Sequence, residues 1–195
     1  VRSFEAKALR AHHAKHYSAA TSVLAFGGAV DPDAAFALAE RAFGAFAKGT
    51  PIASAAPVHT QKRARILVVD NSSSQTELRV CFRALPAPAA ERHALDLLMR
   101  IIDDGMSTRL YHRICDTQGL CYDVSAGYDG YEDDGVIDFA AGVQHARTSV
   151  VAREILELMT DLATVGPTED ELAKAKQRQI WDMSAMHDSP EDFAG

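Results

Sequence analysis

Leu78-Arg79-Val80-Cys81-Phe82-Arg83 alternates apolar and polar side chains. In an extended chain successive side chains point to opposite faces, so Leu78, Val80 and Phe82 share one face and Arg79, Cys81 and Arg83 the other. The pattern predicts a strand with one buried and one wet face. Helices are then expected on one side of the sheet only; helices on both sides would mark a doubly wound fold instead.

Working outward, Ile66-Leu67-Val68-Val69 reads as a preceding strand, with Asn71-Ser72-Ser73-Ser74 as the loop between them. Further upstream, residues 4–17 form a helix, Val23-Leu24-Ala25-Phe26 a strand ending in Gly27-Gly28, and Asp31-Pro32 an N-cap and N1 pair. The helix that follows places Phe36, Ala39, Phe43 and Phe46 on one face, and a polar, proline-containing link covers residues 47–62. Downstream, a helix starting near Pro88 carries Leu95, Leu98, Met99 and Ile102 on one face, and Asp103-Asp104-Gly105 breaks it. A short helix from Ser107 ends at Gly119 as its C′ residue. Two more alternating strands follow, Tyr122/Val124/Ala126/Tyr128 and Ile137/Phe139/Ala141/Val143. The last helices meet at Gly166-Pro167, where Thr168-Glu169-Asp170-Glu171 is a capping box. Ser189-Pro190 begins another helix, with Asp192 at N3. The order predicts an α+β fold: a mixed, largely antiparallel sheet of about five to six strands with helices packed on one face. The chain holds no solenoid-period repeat and no low-complexity tract.

With 195 residues and 47% hydrophobic content, the chain is long enough for one sizeable core. A formal charge of −7 argues against nucleic acid and anionic membrane surfaces as partners. No apolar run approaches the ~18 residues of a membrane span, and no signal segment opens the chain. Cys81, Cys115 and Cys121 are neither a disulfide framework nor a zinc knuckle. So sparse a set favours a reducing compartment while leaving a periplasmic one open.

The candidate chemistry is incomplete everywhere. His12 and His16 lie one helical turn apart, as two zinc ligands would. The zinc-peptidase pattern His-x-x-Glu-His needs a general base where this chain has Lys15, whose charge opposes a nearby dication. Asp103-Asp104 and Glu132-Asp133-Asp134 lack the graded spacing of a calcium loop. Gly27-Gly28 completes no phosphate loop, and no Ser or Cys sits in a nucleophile elbow. Cys115 and Cys121 read best as small buried hydrophobes. The residues therefore give no catalytic group and no metal ligand.

Gly105-Met106-Ser107-Thr108-Arg109-Leu110-Tyr111 and Gly119-Leu120-Cys121-Tyr122-Asp123-Val124-Ser125-Ala126 resemble the Arg-Leu … Gly-Leu-x-Tyr-x-Val-Ser signature of the pitrilysin, insulinase and mitochondrial-processing-peptidase family. The opening from Phe4 to Gly49, with Gly28-x-Val30-Asp31-Pro32, and the helix at Thr168-Glu169-Asp170-Glu171-Leu172 resemble that family's second, non-zinc domain. The resemblance covers about residues 4–186. It implies that residues 1–195 are one non-catalytic metallopeptidase-type domain, a fragment of a longer chain. Such a domain forms part of a clamshell chamber around a peptide substrate. It has no cofactor of its own, zinc being held in a sister domain, and the parent is expected to be a homo- or heterodimeric zinc metalloendopeptidase. In the family an Arg and a Tyr help bind substrate near the zinc; here the Tyr falls at Tyr122 and the Arg position at Cys115, so the pair is broken. Two other readings stand beside this one: a degenerate core or scaffold subunit of processing-peptidase type, and an unrelated ferredoxin-like ligand-binding module.

Overall fold

Strict alternation of buried and half-buried side chains along β3 (Gly135–Val143) marks it as the centre of the sheet. It pairs antiparallel with β1 (Thr76–Ala84) on one edge and β2 (Cys121–Gly130) on the other, in the order β1-β3-β2. The register sets Leu78 opposite Ala141, Val80 opposite Phe139 and Phe82 opposite Ile137, so the apolar sets of both strands fall on one face. The rings of Phe82 and Phe139 meet edge-on with centroids 5.8 Å apart. On the opposite face Arg79, Cys81 and Arg83 are exposed, and Arg79 reaches Asp138 at 2.9 Å. The expected two-faced character of this strand holds.

The structure, a computed structural model, describes residues 3–52, 55–186 and 188–190. They divide into two units, one of residues 56–180 and one of the described residues before 56 and after 180. In the first, α5 (Thr148–Thr164) buries Val151, Ile155, Leu158 and Leu162 at helical spacing and packs on β1 and β3. Helix α3 (Arg92–Ile102) packs on β2 through a face that buries Leu95, Ile101 and Ile102. Ile102, Leu110, Ile114, Phe139, Val143, Val151 and Ile155 have no exposed surface. Each such side chain contributes about 1.5–3 kcal/mol relative to leaving it in water. Helix α3 begins at Arg92, not near Pro88, because Ala87 N–H is tied to Tyr131 O and the chain first turns through Ala89 N–Pro86 O and Arg92 N–Ala89 O bonds.

The α+β class and the one-sided helical layer hold, but the strand count needs correction. Among the described residues the sheet has three strands, not five to six. Val23–Phe26 and Ile66–Val69 join no ladder, and Val23 is 97% and Ile66 90% exposed. Apolar, β-branched composition identifies chain suited to a pleated surface, but a strand exists only through a partner. Neither segment alternates, so neither carries the pattern that would specify a register.

In the second unit, α1 (Ala6–His16) precedes a 3₁₀ turn at Ala19–Thr21, and α2 (Pro32–Phe43) starts with Pro32 at N1. Asp31 Oδ1 accepts the Ala34 N–H at 2.9 Å, the expected N-cap. Ser18 and Thr21 cap the 3₁₀ turn reciprocally, and Ala19 and Ala20 N–H donate to Ala47 and Lys48 carbonyls. Gly49, at φ +62°, sits so near Ser18 that a Cβ would collide with its hydroxyl. No residue of α1 or α2 is buried. Of the helix start expected at Ser189, Asp192 lies outside the described residues. Among the described residues no helix is long and apolar enough to cross a membrane.

Candidate functional site: the segment from Asp103 to Tyr122

This segment joins α3 to β2 and carries the motif residues. Asp103 closes α3 by donating its N–H to Met99 O at 2.8 Å, and Gly105 turns the chain at φ +103°. Thr108 Oγ1 donates to Gly105 O at 2.6 Å, and the chain re-enters a helix at α4 (Arg109–Tyr111). It then widens into a π turn at His112–Asp116, with Thr117 N–H on His112 O at 2.9 Å. Leu110 and Ile114, both fully buried, anchor the turn to the core. Gly119 ends it at φ +56°, the C′ role expected of it. The closing bonds, Gly119 N–H to Cys115 O and Leu120 N–H to Ile114 O, are both 3.0 Å; the first is the usual glycine-ended cap, and the second spans one residue more than its usual counterpart. The extra residue is the one the π turn inserts.

The charged groups around the segment are spent on holding it. Arg109 donates to both carboxylate oxygens of Glu171 at 2.6 Å and to Gly166 O at 3.1 Å. Glu171 also closes the predicted capping box: its Oε2 accepts Thr168 N–H at 2.8 Å and its own N–H donates to Thr168 Oγ1 at 3.2 Å. The Arg109 guanidinium, aided by the Thr168 bonds, pulls the Glu171 carboxyl down to about 2. Arg113 bridges Glu154, Glu157 and Asp161 at 2.7, 2.8 and 2.7 Å. Asp103 Oδ2 accepts the Ala126 N–H of β2 at 2.7 Å, and burial pushes its carboxyl up. Asp104 pairs with Arg100 at 3.0 Å and Arg178 at 3.3 Å. The two aspartates that end α3 thus bind the scaffold.

Tyr122 stands apart. It lies in the irregularity of β2 between Cys121 and Val124 and is 95% exposed. The alternation expected to set Tyr122 on one face with Val124 fails here; the extra residue of the bulge turns it outward instead. Cys115, at the Arg position of the resemblance, is half-buried and its Sγ lies 3.8 Å from Sγ of Cys121. Burial raises both thiols, Cys121 to about 12. This contact across the end of the π turn and the Asp103–Ala126 bond went unread in the sequence. The only advance signal for the first was a pair of cysteines flanking a C′ glycine.

On α1 the His12 and His16 rings stack with centroids 4.3 Å apart. Among the described residues no group of three or more His, Cys, Asp or Glu is placed to hold a metal ion, so the residues present do not fit a zinc centre.

Residues 3–179 match the family described as the peptidase M16 inactive domain. The chain is 28% identical over 178 residues to an uncharacterized zinc protease of Mycobacterium tuberculosis, covering 86% of this chain and 39% of that protein. It is 26% identical over 178 residues to an uncharacterized zinc protease of Bacillus subtilis, covering 90% of this chain and 42% of that protein. The chain thus spans about two-fifths of the length of these curated relatives. A solved peptidase M16 inactive domain from Pseudomonas fluorescens superposes with TM-score 0.76 at 26% identity, over 91% of this chain and 43% of that one. A protease from Helicobacter pylori shares the fold, with TM-score 0.85 at 22% identity over 98% of this chain and 48% of that one.

Proposed function

We propose a function from one premise: this chain belongs to the peptidase M16 inactive-domain family. It forms a wall of a clamshell chamber that encloses a peptide, in a parent that is a zinc metallopeptidase and assembles as a homo- or heterodimer. The domain hydrolyses nothing by itself. Zinc belongs to a sister domain, where it would supply a Lewis acid and an activated water. The longer relatives named zinc proteases support the reading. Family membership displaces the unrelated ferredoxin-like module.

The observation that carries the proposal is Tyr122, 95% exposed at the head of a strand whose neighbouring turn is held by hydrogen bonds. A phenol presented by a fixed backbone offers a hydrogen bond to an extended peptide at low ordering cost. The scaffold-subunit reading is favoured by Cys115 alone, because a thiol cannot supply the two-pronged contact of a guanidinium.

Peptide hydrolysis by the full-length parent separates the two. Tyr122→Phe is expected to lower kcat/KM by about tenfold, or about 1.4 kcal/mol, with unchanged stability. An active parent indifferent to this change would remove Tyr122 from substrate binding, and an inactive parent would favour the scaffold. Cys115→Arg is expected to bring no gain and to cost about 1–3 kcal/mol of stability by overpacking. A tenfold gain would place the chain opposite a zinc site.

A further inference from the structure

The pair of thiols at the end of the π turn belongs to no role so far described. Cys81 is exposed on the far face of β1, whereas Cys115 and Cys121 both pack against the core. Their sulfurs are 3.8 Å apart, and a disulfide needs about 2.05 Å, so bond formation must draw the two sulfurs together. The backbone carrying them is pinned on both sides: Cys115 O accepts Gly119 N–H, Ile114 O accepts Leu120 N–H, and Arg147 Nη1 donates to Gly119 O at 2.5 Å. The sulfurs face each other because the widened turn and its left-handed glycine place them so. Among the described residues no third ligand makes the pair a metal site.

We propose that Cys115 and Cys121 form a reversible disulfide, a redox-responsive staple between the π turn and the first residue of β2. The oxidant is a small-molecule disulfide such as oxidised glutathione. The thiolate of Cys115, having lost its proton to solvent, attacks one sulfur of the oxidant and expels a thiolate. Cys121 then loses its proton and attacks the Cys115 sulfur of the mixed disulfide, releasing the second thiolate. Two protein thiols give up two protons and two electrons, and the oxidant is reduced to two thiols. Burial keeps both thiols largely protonated, so the exchange is slow at neutral pH and quickens as pH rises. The staple fixes Cys121, the residue from which the bulge carrying Tyr122 departs.

The test uses the full chain with Cys81→Ser, equilibrated in glutathione buffers of graded ratio, then quenched with N-ethylmaleimide and weighed intact. Both labelling sites are expected to vanish together in oxidising buffer and to return with dithiothreitol. Cleavage before Asp116 and Asp123 should then yield two peptides joined through Cys115 and Cys121. The same titration in urea supplies the reference, and the folded chain should favour the disulfide at least tenfold more. Full labelling at every ratio, glutathione adducts without a cross-link, or no preference over the urea state would each overturn the proposal. The wild-type chain should form the same link; a bond from either cysteine to Cys81 would overturn it too.

Discussion

The two units of this chain differ in what holds them. Every buried apolar residue among the described ones, from Leu95 to Ala175, belongs to the sheet-and-helix unit. The other unit buries one side chain of note, Ser18, and orders itself through caps and backbone bonds: Asp31 on α2, Ser18 with Thr21, and the Ala19 and Ala20 amides on the 47–48 carbonyls. Its aromatic helix face is largely exposed, with Phe36 73% and Phe43 53% exposed. Similar hydrophobic periodicity thus led to a packed core in one place and to an uncovered stripe in the other. Periodicity reports the face a helix offers, not whether anything covers it.

Phe139→Ala tests the packed side hardest. It deletes a fully buried ring that meets Phe82, and a loss of about 3–5 kcal/mol is expected in urea unfolding followed by circular dichroism. A loss below about 1 kcal/mol would mean the core tolerates a void it has no visible means of closing. Next comes Glu171→Gln, which weakens the paired bonds to Arg109 and should cost about 1–2 kcal/mol at neutral pH. The folded carboxyl titrates near 2 against an ordinary 4.5, so its stabilisation is fully present above 4.5 and fades as pH falls toward 2. Urea midpoints of wild type and variant should therefore converge on acidification; a constant gap would detach the effect from the carboxylate's charge. Smallest is Phe36→Ala, expected within about 0.5 kcal/mol of wild type in this chain. A cost above about 2 kcal/mol would show that the aromatic stripe is covered after all, and would erase the contrast between the units.

The same distinction separates what the sequence disclosed from what it withheld. Asp31 as N-cap, Gly119 as C′, the reciprocal Thr168–Glu171 box and the two faces of Leu78–Arg83 were all readable, because each signal is carried within a few residues. Ladder partners were not: Ile66–Val69 has strand composition, yet nothing in it names the neighbour it would need. Arg113 likewise gives no hint of Glu154, Glu157 and Asp161, which α5 brings from about forty residues downstream. At the candidate site the motif located Tyr122 but not its exposure, since the bulge that turns it outward is a mismatch with β3 and not a property of the tyrosine. The neighbouring cysteines were visible as residues; their contact depends on a helix turn wound one residue wider than the sequence suggests.

The Asp103 carboxylate has a consequence for how this protein meets others in a crowded solution. β2 is an outer strand, so its outward N–H groups are a template on which a stray extended chain could stack. One of them, on Ala126, is already taken at 2.7 Å by a carboxylate at the end of α3. An intruder would have to break that bond and pass a half-buried acid before it could zip alongside. The aspartate that ends a helix thus also closes one rung midway along the outer strand of the sheet.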